Sequence, residues 1–364
     1  MKLLYITNGI TGIGGLERVL AIKASYLADN YGYDVHILTL NEKDKQPFYA
    51  LSPKIRFYSI PYTGIFSYLS GLRKTVREIQ PDIISVCDDG LKGFFVPLYL
   101  AKPCVMIYEK HAPKIILKKV KSKSLFKKMK SQIIDFLMNT GGKLYDKFIV
   151  LTEKNKLDWK KLSNIEVIAN PLTFYPNQTS SLKNKKAILV GSYSYSKGLD
   201  IVIETWEKVV KIYPDWVLEI YGKNDEANYY QRLVNKYQME KNVLLFAPVS
   251  EIEQKYLDAS IYVMSSRYEG FGMVLTEAMA CGLPCVSFDC PYGPSDIITE
   301  GEDGFLVASG DINQLSEKIC FLIANNEERF RMGQNAKENV KRYLPENIMP
   351  QWDILFQHLP FKKK

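Results

Sequence analysis

The sequence predicts an α/β protein made of two doubly wound units, each a parallel sheet flanked by helices. The chain has 364 residues, which is longer than a domain with a single hydrophobic core usually is. Apolar runs of strand length alternate with segments of helical period, which is typical of parallel strand pairing. The alternation stops in a stretch rich in Pro, Ser and Asn, residues 171–182, and then starts again. We therefore expect two units joined by a linker.

The first half opens with the apolar strand KLLYIT, which runs into the Gly-rich loop NGITGIGGLE. The helix-patterned segments that follow are ERVLAIKASYLADNYG, SGLRKTVREIQ and LKGFFVPLYLA. Pro81 ends the second of these, because proline cannot continue a helix. The further strands are DVHILTL, PDIISVC, PCVMIYEKH, YDKFIVLT and NIEVIANPL.

The second half repeats the pattern. Its predicted strands are KKAILVGSY, WVLEIYG, NVLLFAPV, IYVMSS and LPCVSFD, and its predicted helices are DIVIETWEKVVKIYP, ANYYQRLVNKYQM, SEIEQKYLDAS and EGFGMVLTEAMACG. An amphipathic tail, PENIMPQWDILFQHL, follows. The expected domains are 1–170, 183–342 and a C-terminal helix in 343–364 that packs back on the first domain. Open α/β sheets bind ligands at the carboxyl ends of their strands, so we expect the site in a cleft there.

The charge is distributed unevenly between the halves. Residues 1–170 carry 27 Lys and Arg against 15 Asp and Glu, a net +12, while residues 171–364 carry 21 against 25, a net −4. A basic half favours an anionic partner such as nucleic acid, anionic lipid or a phosphorylated substrate. The sequence has no membrane-spanning apolar run, and its apolar start is too short for a signal peptide. The six cysteines lack metal or disulfide spacing, which favours thiols in a reducing cytoplasm.

Much of the basic charge lies in residues 110–130, which hold nine lysines and no carboxylate between Lys110 and Lys130. Apolar residues alternate with the lysines. A basic amphipathic segment is typical of a membrane surface, although a solvated helix face would give a similar pattern. No RNA-binding motif or stacking platform accompanies it, so nucleic acid is not the expected partner. The membrane candidates are Lys118, Lys119, Lys127 and Lys128.

Two carboxylates in SSRYEGFGMVLTEAMACGLPCV stand eight residues apart. Glu269 lies on a turn with Gly270 and Gly272, and Glu277 lies in the first turns of the helix that follows. Bare glycine backbone at a helix start lets an anionic ligand approach the N–H groups. A carboxylate can accept hydrogen bonds from a vicinal diol such as ribose. Spacing alone equally allows a solvated turn residue and a charge that favours the helix dipole.

The same stretch resembles the signature of retaining glycosyltransferases of the GT-B fold, family 4, in which two Rossmann-like domains face each other across a cleft. Further pieces resemble the family along nearly the whole chain. They are Gly14-Gly15-Leu16-Glu17, Pro81-Asp82-Ile83-Ile84, Ile168-Ala169-Asn170-Pro171 and the loop GSYSYSKG from Gly191 to Gly198.

The resemblance implies roles for individual residues. Glu277 would bind the ribose, Glu269 and the backbone after it the sugar and diphosphate, and Lys197 the diphosphate. His111, at the end of its strand, would contact the transferred sugar. The position of Val249 matches a backbone that reads the base. The remaining donor-binding candidates are Gly14, Gly15, Ser192, Gly270, Phe271, Gly272, Met273 and Val274.

The sequence departs from the family at Ser192, where an arginine usually follows the glycine. One diphosphate cation is therefore missing, and guanidinium contacts are the stronger ones. A dinucleotide fingerprint in GIGGLE fails, because glycine would be needed at Glu17. No D-x-D motif occurs, and Asp88 with Asp89 is interpreted as a strand-end turn, so we expect no metal and no cofactor beyond the nucleotide sugar.

The resulting expectation is a hexosyltransferase at the inner face of the plasma membrane. It would move a hexosyl or N-acetylhexosaminyl unit from a UDP-linked donor to a glycan acceptor, lipid-linked, in bacterial surface polysaccharide or oligosaccharide synthesis. Two alternatives stay open. One is a sugar-nucleotide epimerase of similar fold, and the other is a nonenzymatic membrane-bound partner with a relict donor pocket.

Overall fold

A computed structural model of the chain describes residues 1–114, 125–223 and 228–359, with the backbone alone at 125–128. The chain forms two compact units. Unit 1 comprises Met1–Thr173 with Pro345–Lys364, and unit 2 comprises Phe174–Leu344. The predicted fold class is confirmed, since each unit is a parallel sheet flanked by helices.

Unit 1 holds a seven-stranded parallel sheet in the order β3-β2-β1-β4-β5-β6-β7. Its strands are β1 (Lys2–Thr7), β2 (Asp34–Leu40), β3 (Arg56–Ile60), β4 (Ile83–Cys87), β5 (Val105–Lys110), β6 (Lys147–Val150) and β7 (Ile165–Val167). Its helices are α1 (Gly15–Asn30), α2 (Ile65–Ile79), α3 (Leu91–Phe94), α4 (Val96–Leu100), α5 (Leu125–Gly142), α6 (Glu153–Lys156) and, from the end of the chain, α14 (Pro345–His358).

Unit 2 holds a six-stranded parallel sheet in the order β10-β9-β8-β11-β12-β13. Its strands are β8 (Lys186–Val190), β9 (Val217–Tyr221), β10 (Val243–Phe246), β11 (Ile261–Met264), β12 (Cys285–Phe288) and β13 (Gly304–Val307). Its helices are α7 (Leu199–Ile212), α8 (Tyr229–Lys236), α9 (Ile252–Leu257), α10 (Met273–Ala280), α11 (Pro294–Ile297), α12 (Ile312–Ala324) and α13 (Asn326–Asn339).

The central strands of unit 1 are covered on both faces, which is why β1, β4 and β5 are almost wholly buried. Alternate residues of a strand point to opposite faces. Leu4 and Ile6 of β1 belong to the core cluster that also holds residues of α2, α3, α4 and α5, whereas Tyr5 lies beside Lys23 of α1. α14 packs against α1, where the Tyr33 hydroxyl donates to the Asp353 carboxylate. In unit 2, Ser180 of the stretch predicted as a linker donates its backbone N–H to the Cys281 carbonyl.

The structure corrects one predicted element and adds others. LKGFFVPLYLA forms two short helices, α3 and α4, instead of one. Pro97 lies in the first turn of α4, and its ring is incompatible with a carbonyl four residues earlier, so the helix restarts there. The sequence analysis did not predict β3, β13, α5, α6, α11, α12 or α13. Lys118 and Lys119 lie outside the described residues, and nothing is described of the side chains of Lys127 and Lys128.

Among the described residues, no helix combines the length and the apolar character needed to cross a membrane. All six cysteines are free thiols, four of them buried.

Candidate active site

The candidate site of unit 2 lies where β8 and β11 end beside each other. These two strands are neighbours at the middle of the sheet, and the chain leaves them in opposite directions, towards β9 and towards β12. Such a switch point opens a crevice at the carboxyl edge of a parallel sheet. The loop 191–198 follows β8, and the loop 265–272 follows β11.

The two loops are fastened to each other by hydrogen bonds. The Arg267 guanidinium donates to both carboxylate oxygens of Asp200, at 2.8 and 2.5 Å, and to the Tyr195 carbonyl at 2.8 Å. The Ser265 hydroxyl donates to the Lys197 carbonyl at 3.1 Å. A bidentate guanidinium pair fixes both distance and orientation. The side chains on these loops are therefore held in place before any ligand arrives.

Glycine is required at Gly198 for two reasons. Its φ is +64°, in the left-handed region, and a Cβ there would collide with the Ser265 carbonyl oxygen. Gly272 plays a related part at the second loop, because its φ is +97° and it directly precedes α10. A helix leaves its first N–H groups without intrahelical acceptors, so the backbone from Gly272 to Val274 can donate to an anion.

Lys197 and Glu269 meet at this edge. The Lys197 ammonium donates to both oxygens of Glu269, at 2.7 and 2.9 Å, and the Ser266 hydroxyl donates to the same carboxylate at 2.6 Å. The side chains of Lys197 and Glu269 are 22% and 10% exposed. The pair thus combines a cation that solvent still reaches with a carboxylate held in one orientation.

Glu277 lies in the second turn of α10 and is only 3% exposed. The Tyr256 hydroxyl donates to its Oε2 at 3.2 Å. Burial raises the pKa of Tyr256 well above its usual value, so this phenol keeps its proton and remains a donor. Glu269 is therefore not a solvated turn residue, whereas a charge that interacts with the helix dipole stays open as the alternative for Glu277.

Other predicted donor-site residues occupy different positions around this edge. Phe271 is 3% exposed, and its ring packs edge-on against that of Tyr343, with the ring centroids 5.4 Å apart. It can therefore offer a ligand only its backbone. Ser192 is exposed, and its hydroxyl lies 3.1 Å from that of Ser194. Val249 follows β10 and is 39% exposed. At the position where the resemblance places an arginine, the chain presents the hydroxyl groups of Ser192 and Ser194.

His111 directly follows β5 in unit 1. Its Nε2 lies 3.2 Å from Oε2 of Glu109, and the Lys23 ammonium lies 2.5 Å from the same oxygen. Ser85 of β4 donates to the other oxygen of Glu109 at 2.6 Å. Trp352 of α14 covers the Lys23 ammonium at 3.4 Å from its ring centroid. Three elements and the C-terminal helix therefore fix the position of one histidine.

The charge state of this network follows from its contacts. Burial raises the pKa of Glu109, but the Lys23 charge and the His111 contact outweigh it and lower the pKa to about 2. Atoms of Cys87, Glu109 and His111 lie within 4.8 Å of one another, a distance that suits metal ligands. Burial raises the pKa of the Cys87 thiol, which favours its protonated form, and the Lys23 ammonium already neutralises Glu109. These three side chains are therefore a poor site for a metal ion.

Gly14 and Gly15 lie at the start of α1. The Glu17 carboxylate folds back against Gly12 and Gly14, within the space that side chains at those positions would need. This negative charge at the loop favours hydroxyl groups over phosphate as a ligand there. Asp88 and Asp89 are engaged by protein groups, since Asp88 accepts from Asn8 and Asp89 pairs with Lys110.

Sequence reasoning identified Glu269, Glu277 and Lys197 but missed Ser266, Tyr256, Lys23 and Glu109. Ser266 precedes Glu269 by only three residues and could have been noticed. Tyr256 is distant in sequence, and no local pattern links it to Glu277. Lys23 did leave a signal, because it occupies the apolar face of α1, four residues from both Val19 and Leu27. A lysine on a core-facing stripe indicates a buried anionic partner.

The fold and this site define a class, that of GT-B glycosyltransferases. The family model for glycosyl transferases group 1 matches residues 174–339. An uncharacterized glycosyltransferase of Haemophilus influenzae is 30% identical over 361 residues, covering 96% of this chain and 98% of the relative. The amylovoran biosynthesis glycosyltransferase AmsD of Erwinia amylovora is 28% identical, covering 97% and 99%.

Among solved structures, that of Anabaena HepE in complex with UDP and glucose has a TM-score of 0.81 at 17% identity, covering 99% of this chain and all of the other. At that identity the likeness concerns the fold. The chain belongs to the glycosyl transferases group 1 family and is a glycosyltransferase.

Proposed function

We propose that this glycosyltransferase retains the anomeric configuration, as in family 4, and moves a hexosyl or N-acetylhexosaminyl unit from a UDP-linked donor to a glycan acceptor. The observation that carries the proposal is the set of side chains at the β8–β11 edge. A fixed carboxylate, a half-buried ammonium and a buried second carboxylate surround a helix N-terminus. Sugar hydroxyls, a diphosphate and a ribose require these groups.

The donor would bind with its ribose on Glu277 and its diphosphate on Lys197 and the first N–H groups of α10. Glu269 and the backbone from Gly270 to Val274 would take the sugar, and the Val249 backbone the base. The glucose and UDP in the HepE complex support this choice of ligands. Ser192 would add a hydroxyl donor to the phosphates.

The reaction would depend on stabilising the diphosphate as it leaves. Lys197 would serve that task without a metal, a proposal supported by its contact with Glu269 and by the access of solvent to its side chain. We propose that the donor phosphate assists in deprotonating the acceptor hydroxyl on the same face of the sugar. His111 would contact the transferred sugar, with Gly14 and Gly15 bordering the hydroxyl-bearing ligands.

The acceptor we propose is a lipid-linked glycan of bacterial surface polysaccharide synthesis, reached at the cytoplasmic face of the plasma membrane. The amylovoran biosynthesis relative supports the polysaccharide part. Two of the nine lysines of residues 110–130, Lys110 and Lys114, are buried and paired with carboxylates, and the remaining basic charge of the segment supports an anionic membrane surface as a partner. Replacing Lys118, Lys119, Lys127 and Lys128 by Gln should weaken binding to anionic vesicles and spare binding of UDP.

Release of free UDP tests the function directly. Purified protein is incubated with UDP-sugars, with and without a membrane extract that contains lipid-linked glycans. If the protein transfers sugar, free UDP should form only when acceptor is present. NMR of the product should then show the same anomeric configuration as in the donor. An epimerase would convert the donor sugar without acceptor, and a nonenzymatic partner would leave the donor unchanged.

A further inference from the structure

Helix α5 turns an apolar face outward. Met129, Ile133 and Phe136 are 53%, 52% and 66% exposed. Their spacing of four and three residues places them on one side of the helix, and we call these three side chains the α5 apolar face. A helix at a solvated surface ordinarily turns polar residues outward, so this face requires a partner.

Two polar side chains of α5, those of Asp135 and Asn139, contact the rest of the protein. The single carboxylate of the helix, Asp135, lies 2.9 Å from the Lys114 ammonium, which is 3% exposed. The buried Asn139 accepts from the same ammonium at 3.4 Å, and Met138 joins the core. The helix thus pairs its one carboxylate with the protein, while Lys130, Gln132 and Thr140 are exposed alongside the three apolar side chains.

The neighbouring helices of the same layer share this feature. α2, α3, α4 and α5 contribute to one core cluster and so cover the same face of the sheet. On α2, Phe66 is 84% exposed, and on α4, Leu98 is 59% exposed. Exposed large apolar side chains on several helices of one layer indicate a surface that contacts another apolar phase.

The charges on this layer select the partner. Exposed basic residues on it are Arg73, Lys74, Arg77 and Lys130, against one exposed carboxylate, Glu78, which lies 3.9 Å from the Lys74 ammonium. α5 exposes Lys130 beside its apolar face, and its one carboxylate is already paired with Lys114. Apolar side chains flanked by cations match a bilayer that carries anionic headgroups.

We propose that the α5 apolar face docks onto an anionic lipid bilayer, with Met129, Ile133 and Phe136 inserted below the headgroups and the basic residues at the level of the phosphates. This deepens the proposed function, on which it rests only for the presence of a membrane-borne acceptor. A second copy of the chain is the other possible occupant, and the experiment separates the two.

The native tryptophans allow a direct test. Trp159, Trp206, Trp216 and Trp352 are at most 4% exposed, so lipid cannot reach them. Phe136→Trp therefore places a single accessible indole on the proposed surface. With vesicles of phosphatidylglycerol and phosphatidylcholine, its emission should shift to the blue and be quenched by brominated acyl chains.

Ile354→Trp is the matched control, because Ile354 is 56% exposed on α14 of the same unit, away from the α2–α5 layer. Its emission should not respond to brominated lipid. Equal quenching at both positions, or none at position 136, overturns the proposal.

A second pair of variants measures partitioning. Ile133→Asn with Phe136→Ser should lower binding to the anionic vesicles at least tenfold, while Leu157→Ser with Ile354→Asn, equally exposed apolar positions, should leave it unchanged. Unchanged binding of the first variant overturns docking. A lipid-free dimer that this variant dissociates, without a change in vesicle binding, assigns the face to a second copy.

Activity assays separate this proposal from the function. Transfer to a soluble acceptor should be the same for both double variants. Quenching at position 136 without any sugar transfer would sustain docking and reject the function, whereas transfer without quenching would reject docking alone.

Discussion

Each unit holds a lysine–glutamate pair near the carboxyl end of a central strand, and the two pairs differ in burial. Lys23 and Glu109 of unit 1 have side chains that are each 2% exposed. Lys197 and Glu269 of unit 2 are 22% and 10% exposed. In the first pair the lysine is closed off by Trp352, whereas the second lies on two loops at the sheet edge.

The difference in burial separates a scaffold from a site. Breaking a buried pair leaves an uncompensated charge, which costs about 3–5 kcal/mol, so Lys23 and Glu109 cannot exchange partners. The second pair is less buried, and Ser266 still donates to Glu269 when the lysine leaves, so Lys197 can turn to a diphosphate at a smaller cost of about 1–2 kcal/mol. The buried pair fixes His111, and the accessible pair is available for a ligand.

Removing the lysine from each pair should give the largest difference between the two units in the free energy of unfolding. Lys23→Met leaves Glu109 buried without its cation and should lower the free energy of unfolding by about 3–5 kcal/mol. Lys197→Met, the matched change in the less buried pair of unit 2, should lower it by about 1–2 kcal/mol. Urea denaturation followed by circular dichroism measures both, and equal losses would contradict the assigned roles.

Acid should affect the buried pair in a predictable direction. The pKa of Glu109 is lowered to about 2 from 4.5, so its ionised form stabilises the fold above about pH 4.5, and this stability is lost as the pH falls towards 2. The contribution amounts to about 3 kcal/mol. Glu109→Gln should remove it, so that the difference in unfolding free energy from the native protein shrinks as the pH falls.

Glu166→Gln is the control for this titration, because Glu166 pairs with Lys147 at the surface, where the side chains are 41% and 36% exposed. Its difference from the native protein should stay small at every pH. A Glu109→Gln difference that does not change with pH would show that the carboxylate is not held ionised.

The accessible pair should instead matter for turnover. Lys197→Ala should reduce kcat about a hundredfold or more, because the ammonium stabilises charge that develops on the leaving diphosphate. The melting temperature should change little. Added magnesium should not be required by the native enzyme, and loss of activity with a chelator would contradict the metal-free expectation.

The sequence predicted most strands and the carboxylates of the site because local patterns carry them. Apolar runs bounded by glycine and proline marked β1, β4 and β8, and a glycine-rich turn before an apolar helix marked Glu269 and Glu277. β3, an edge strand with the short sequence RFYSI, lacks the apolar run that marked the others.

Long-range partners could not be predicted in this way. Tyr256 reaches Glu277, and Lys23 reaches Glu109 across 86 residues, only because the sheets bring them together. In the basic segment the sequence analysis considered the lysines and did not predict the α5 apolar face. Which residues of α5 face outward can be told only when the bounds of the helix and the side that packs on the core are known.

Glu277 allows the most direct test of the central claim, that unit 2 binds the nucleotide sugar at the β8–β11 edge. This carboxylate is 3% exposed, nearly as buried as Glu109, and it accepts a hydrogen bond from the neutral Tyr256 hydroxyl. Calorimetry of UDP binding compares the native protein with Glu277→Gln, which keeps the shape and removes the charge. Since hydrogen bonds to a charged group contribute about 1.5–3 kcal/mol, the affinity should fall at least about tenfold with an unchanged melting temperature. An equal affinity for UDP in both proteins would contradict the assignment of this carboxylate to the ribose.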